Sequence, residues 1–404
     1  MITKNMVEKM KKIIIYTYLA ALCLCANVVV AQGDYTSVLK DIESNNIELK
    51  ALRADMEAQQ IENSAANTLE NPSIDGSYSW CNVAQMGPKK TLSVAQPFDF
   101  PTVYVQRGKL IGIENDNLQY HYRSQRISIL LEAKKLCIDI TYYNALVDIY
   151  AQRLQNAQAI AANYRKKMEA GDANILEVNK AELNLASVQS DYDKAVSERQ
   201  ALLTSLAQMN GGVSIVVVES KFEYAVLPAS FDEWYKQMES QNPVLQHAEG
   251  LVQADKQRLK VVQNQWLPQL NIGYVNETVG EESFRGVALG LSLPLWNNGK
   301  NVKQSKAKVA AAELELSNVR NNTYNTLKVL FQQSATLIQN ADRLNATLAR
   351  CGSEALLQKA LDAGEISLLE YLLEIEFFQD ATINALAAQR DAQMALAELF
   401  AINL

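Results

Sequence analysis

Residues 286–296 read GVALGLSLPLW, with Val287, Leu289, Leu291, Leu293 and Leu295 alternating with mostly small residues. A half-buried strand of a soluble protein carries bulky polar residues on its second face. This one has an oily face and a nearly bare face, the pattern of a strand with lipid outside and a lumen inside. LSVAQPFDF (92–100) is a weaker version, with Leu92, Val94, Phe98 and Phe100 on one side and Ser93, Ala95 and Asp99 on the other. SIDGSYSW puts Ser73, Asp75, Ser77 and Ser79 on one face, and LPQLNIGYVN (267–276) supplies a fourth segment. Strands are therefore expected at about 73–82, 90–100, 268–277 and 286–296, with CNVAQMGPK and ETVGEESFR as hairpin loops. Proline donates no ladder hydrogen bond, and Pro72, Pro268, Pro97, Pro101 and Pro294 fall near the expected strand ends. Tyr78, Trp80, Trp266, Tyr274 and Trp296 are expected near those ends too, as an aromatic belt at the membrane interface.

Elsewhere the period changes. From Thr102 to Met168 there is no proline, and from Lys300 to Leu361 there is no proline and one glycine. As helices these segments would reach ~100 and ~90 Å. Leu136, Ile140, Tyr143, Val147, Tyr150, Leu154, Ala157, Ala161, Tyr164 and Met168 step by four and three without a break. Ala181, Leu185, Val188, Tyr192, Ala195, Leu202, Leu206 and Met209 hold that phase on a returning helix, as do Phe378, Ala381, Ala385, Ala388, Ala392, Ala395 and Leu399 later. A 3.5-residue repeat kept this long means helices supercoiling around one another.

The chain also repeats itself. NNIEL (45–49) matches QNPVL (241–245), NPSIDGSYSW (71–80) matches LPQLNIGYVN, LSVAQPFDF matches VALGLSLPL (287–295), and EAGDANILE (169–177) matches DAGEISLLE (362–370), all at offsets of 193 to 196. Two copies of one unit are expected. The first spans 32–210 with its hairpin tip at about 169–175. The second spans 241–404 with its tip at about 362–368. Residues 211–240 break the helical pattern between them and are expected to form a strand-and-loop collar at the equator.

The first residues look like an export signal: Lys4, Lys9, Lys11 and Lys12, then the apolar run 13–30, then small residues at a cleavage position after Ala31. Removing this leader takes the formal charge from −7 to about −10, which disfavours nucleic acid as a partner. No later run is long and apolar enough for a transmembrane helix. Cys81, Cys137 and Cys351 are widely spaced and odd in number, so no disulfide framework is expected, and Cys137 reads as a small core hydrophobe. His121 and His247 have no ligand-type neighbours at metal-binding spacing, the methionines are scattered, and NGGVSI lacks a phosphate-loop lysine. No catalytic, cofactor-binding or metal residue is assigned, and an enzyme is the least expected class.

Four strands cannot close alone, because a bilayer tolerates no open sheet edge and small barrels need eight strands. Three chains would supply twelve strands, and two would supply eight. The layout resembles the TolC-like outer-membrane efflux proteins in NPVL (242–245), LPQLNIGY, QPFDFP, LSLPLWNNGK and the two glycine turns. The resemblance implies a fold that is mainly α with membrane β. In it a long coiled-coil α-helical barrel is continuous with a twelve-stranded β-barrel shared by a homotrimer, four strands per chain, in the outer membrane of a Gram-negative cell. It also implies a periplasmic adaptor and an inner-membrane pump, proton-driven, as partners, with outer-membrane lipid around the barrel. The chain would be the exit duct of a tripartite efflux system for small molecules or ions. Adaptor docking falls on Ala170, Gly171, Asp172, Ile175 and Leu176 and on Ala363, Gly364, Glu365, Ser367 and Leu368. Glu169, Asp172, Asp362 and Glu365 would form an acidic aperture ring, although acids at a helix start also complement the helix dipole. Two rival readings stay open: the outer-membrane port of a type I protein secretion system, and a soluble exported coiled-coil scaffold.

Overall fold

A computed structural model describes residues 35–80, 82, 87–223, 226–296, 298–351 and 354–404. The expected leader and its cleavage point lie outside the described residues, as does most of the CNVAQMGPK loop.

The elements run α1 (Thr36–Asn45), α2 (Ile47–Ala65), β1 (Ser73–Ser79), β2 (Lys89–Phe98), α3 (Pro101–Ala170), α4 (Ile175–Met209), α5 (Phe231–Glu239), α6 (Pro243–Asn264), β3 (Gln269–Val279), β4 (Glu282–Ser292), α7 (Asn298–Cys351), α8 (Glu354–Asp362) and α9 (Leu368–Leu399). Helix α3 has 70 residues, about 105 Å at 1.5 Å per residue. Pro101 opens it at a position where no intrahelical N–H is needed. The expected rod over 300–361 is α7 followed by α8, with Gly352 and Ser353 between them outside the described residues.

The long helices pack in antiparallel pairs, α3 against α4 and α7 against α9, and α6 bridges α3 and α7. Near the tip, Ile160, Ala161 and Tyr164 of α3 bury against Val178 and Ala181 of α4 and Leu368, Tyr371 and Ile375 of α9. Near the equator, Tyr35, Val38 and Ile42 enclose Leu130, Ala133, Cys137 and Ile138. The small residues Ala385, Ala388, Ala392 and Ala395 are all buried on α9, which lets that backbone approach its neighbours closely. Burial also extends off the a/d stripe of α3, to Thr141, Tyr142, Ala145 and Leu146, because that stretch is packed by α4 on one side and α9 on another.

Both repeats begin their inner helix in the same way. The Asn46 side chain accepts from the Leu49 N–H at 2.8 Å, and the Asn242 side chain accepts from the Val244 N–H at 3.0 Å. The shared asparagine is the cap that the start needs. The proline present only at 243 merely occupies the first helical position, so its absence from NNIEL costs little. Asn46 also donates to the Met209 carbonyl at 2.8 Å, tying the start of α2 to the end of α4.

Three expectations need correction. Strand β4 begins at Glu282 and ends at Ser292, four residues earlier than expected, so Leu293 and Leu295 lie just beyond it. The ladder continues through most of ETVGEESFR, because Thr278, Val279 and Phe284 favour extended backbone and Gly280, at φ +60°, permits a two-residue turn with Glu281. The collar contains no strand among its described residues: it is irregular chain followed by α5. Its carbonyls are held by side-chain amides instead of a ladder. Asn144 donates to Val217 and Glu219, each at 2.9 Å, and Gln393 donates to Glu223.

Candidate functional site

The four strands form one antiparallel sheet in the order β1-β2-β3-β4. Directly paired residues share a face, so the register sorts every side chain. One set of rows reads Ile74, Val94, Tyr274, Val287, then Gln96, Ile272, Leu289, then Phe98, Leu270, Leu291. The alternate rows read Asp75, Ser93, Val275, Gly286, then Ser73, Ala95, Gly273, Ala288, then Pro97, Asn271, Gly290. One face is thus an apolar band and the other is small or polar. Leu289 is 80% exposed and Val287 75%. Toward the hairpin turns the apolar face becomes polar, through Asn276 and Arg285 and then Lys90, Thr278 and Ser283.

The eleven residues of β3 or β4 rise about 28 Å at 3.3 Å per residue and a ~40° tilt, matching the ~25 Å apolar band of membrane barrels. Trp266 and Trp296 lie at the helix-facing end of the sheet. Tyr78 and Trp80 lie at the turn end, with rings 6.1 Å apart. Tyr274 was expected near a strand end, but it sits mid-strand, opposite Val94 and Val287. Among the described residues, no strand pairs with the outer edges of β1 and β4.

At the opposite end of the helices are two turns built alike. Gly171 (φ +83°) and Gly364 (φ +72°) adopt the left-handed conformation that closes a helix. The Asp172 N–H reaches the Lys167 carbonyl at 2.7 Å, and the Glu365 N–H reaches the Ala360 carbonyl at 2.9 Å. Each returning helix then starts with a capping box, Asn174 with Glu177 and Ser367 with Glu370. Backbone hydrogen bonding from Ser367 holds the Glu370 carboxyl below the usual range. Glu169, Ala170, Gly171, Asp172, Ile175 and Leu176 are exposed on the first tip, and Asp362, Ala363, Gly364, Glu365 and Ser367 on the second. Leu368 is the exception: it is 3% exposed, packed with Tyr371 and Ile375, so it supports the tip from inside and offers no docking surface.

Burial pushes the Cys137 thiol up to about 12, with Glu219 reinforcing and Lys134 opposing, and pushes Lys134 down to about 8. Cys137 is therefore the inert core hydrophobe its stripe position suggested. Sequence spacing missed one contact. His121 and His247 come from different repeats, yet their rings approach to 5.1 Å across the α3–α6 seam. No helix among the described residues is long and apolar enough to cross a membrane.

Residues 38–212 match the outer membrane efflux protein family. No curated protein sequence matches the chain. Its whole fold is similar to that of a membrane protein from Pseudomonas aeruginosa, at a TM-score of 0.74 and 14% identity, covering 92% of this chain and 94% of that one. The Campylobacter jejuni CmeC outer membrane channel gives 0.72 and 16%, covering 92% and 85%. The open state of the Neisseria gonorrhoeae MtrE outer membrane channel gives 0.68 and 15%, covering 92% and 89%. The efflux family is one of outer-membrane transport channels and not of enzymes.

Proposed function

We propose that this efflux-family chain is the exit duct of a tripartite system, passing small molecules or ions across the periplasm and outer membrane. The observation that carries the reading is a sheet with one apolar face and two open edges. Lipid would leave those edge groups unsatisfied, at several kcal/mol each. Three copies remove the problem by pairing β4 of one chain with β1 of the next, closing twelve strands. Val287, Leu289 and Leu291, with Leu293 and Leu295 just below, then face lipid. Tyr78 and Trp80 mark one interface and Trp266 and Trp296 the other, with Tyr274 inside the band. The small and polar face lines the lumen, which continues into a tube of α3, α4, α7 and α9.

In this reading residues 1–31 are the export leader, 32–210 and 241–404 are the two repeats, and 211–240 is the equatorial linker. The periplasmic adaptor meets the exposed tip residues Ala170, Gly171, Asp172, Ile175, Leu176, Ala363, Gly364, Glu365 and Ser367. A proton-driven inner-membrane pump supplies the energy, so the duct contributes geometry and gating. Glu169, Asp172, Asp362 and Glu365, repeated three times, ring the aperture with carboxylates that favour cations. The deciding experiment is the native mass and particle shape of the protein extracted from outer membranes in mild detergent. Three chains with a tube of ~100 Å projecting from the detergent belt are expected. A monomer released without detergent would overturn the barrel.

A further inference from the structure

The chain has two histidines, and folding brings them together from positions 121 and 247. They sit on α3 of the first repeat and α6 of the second, with ring centroids 5.1 Å apart and planes inclined by 38°. His247 is half-buried and its Nδ1 lies 3.4 Å from the Asn117 carbonyl oxygen. A carbonyl only accepts, so Nδ1 carries the proton and Nε2 keeps its lone pair free. That arrangement, a ring N–H turned to a backbone carbonyl, is how metal-ligating histidines are oriented. His121 is exposed, which leaves the pair open to solvent on one side.

The spacing fits a shared ion. A nitrogen bound at about 2.1 Å puts its ring centroid about 3.2 Å from the metal, and a tetrahedral angle then separates two centroids by about 5.2 Å. Among the described residues no group of three or more His, Cys, Asp and Glu surrounds the pair, so water would complete the coordination. Imidazole pairs of this kind suit Cu2+, Ni2+ and Zn2+ rather than Ca2+ or Mg2+.

We infer that His121 and His247 form a two-imidazole site for a divalent transition ion, which ties the first repeat to the second across the α3–α6 seam. The site lies about 30 Å along α3 from Pro101, counted at 1.5 Å per residue, away from both the sheet and the tips. It is independent of the duct reading, since it needs only the fold of one chain.

The test is titration of the detergent-extracted full-length protein, without a histidine tag, with Zn2+ alone and Cu2+ alone. One ion per chain is expected, with a rise in melting temperature. His121→Ala and His247→Ala should each weaken binding about tenfold or more, and the double variant should bind no worse than the weaker single. His247→Gln keeps a donor for the Asn117 carbonyl, so it should melt like the parent without metal yet lose the metal-induced rise. The Cu2+ paramagnetic resonance spectrum should show two coupled nitrogens. The inference is overturned by the absence of saturable binding below millimolar ion. It is equally overturned by binding that survives both single variants, or by a spectrum with one protein nitrogen that only one variant removes.

Discussion

Leu289→Arg tests which face of the sheet meets lipid. Leu289 occupies the middle of three apolar rows, opposite Ile272, and is 80% exposed in the single chain. An arginine at a bilayer midplane costs a membrane barrel about 2–4 kcal/mol, falling to about 0–1 near the interfaces. The fold already contains the control. Arg285 lies on the same face, four residues along the strand, so about 13 Å away and about 10 Å nearer the turn end at a 40° tilt. That height is where a cation is cheap. Leu289→Arg should therefore cost about 2–4 kcal/mol per chain, while Arg285→Leu is nearly neutral and Ala288→Arg, one residue away on the small-residue face, costs under about 1 kcal/mol. Denaturant titration of the protein in outer-membrane lipid measures all three, with the yield of heat-resistant oligomer as a second readout. Equal costs at 288 and 289 would refute the assignment of faces, and so would a Leu289→Arg cost near zero.

Further outcomes follow from the helices. Gly250→Ala should destabilise the α3–α6 seam although alanine gains about 1 kcal/mol of helix propensity. The new Cβ would stand 2.4 Å from Asn117 Oδ1 and 3.3 Å from Asn117 Cβ, and overpacking costs about 1–3 kcal/mol. The loss should shrink in an Asn117→Ala background, where the buried and unpartnered Oδ1 is gone, and a double-mutant cycle reads the coupling. Gly171→Ala meets nothing within 4 Å, so its cost is the left-handed backbone alone, about 1–2 kcal/mol, seen as faster hydrogen exchange at the first tip. Arg126 holds the Glu43 carboxyl below the usual range, first by hydrogen bonding. A depressed carboxylate stabilises the fold above its unfolded value near 4.3 and loses that contribution as pH falls through the folded value. The thermal penalty of Glu43→Gln should thus be present at pH 7 and vanish in acid below the folded value. Peptide mapping after maleimide treatment at pH 8 should find Cys351 labelled and Cys137 untouched, since Cys137 is fully buried and Cys351 exposed.

Hydrophobic period was enough to read the long helices and the four strands of this protein. A four-three spacing kept over 136–168 can bury its stripe only in a partner helix, and α3 and α4 pack along it. The alternation at 286–292 can serve only a strand with unlike sides, and β4 is one. Glycines 171 and 364 were legible because a helix end demands a positive φ that other residues resist. Strand ends were less legible, because propensity along ETVGEESFR is uniform and a single glycine decided the turn. The linker defeated pattern reading for a related reason. Its Val-rich run looks like a strand, but Asn144 and Gln393 reach it from helices distant in sequence and replace the ladder. Leu368 and Ile175 hold matching positions in the two tip motifs, yet α9 turns the first inward and α4 leaves the second outside. The approach of His121 to His247, and of Asn117 to Gly250, depends on how two rods from different repeats lie side by side. Local spacing fixes which face of a helix is apolar. The azimuth and height at which that face meets another helix are set by side-chain packing over the whole length of both, and only the tertiary structure supplies them.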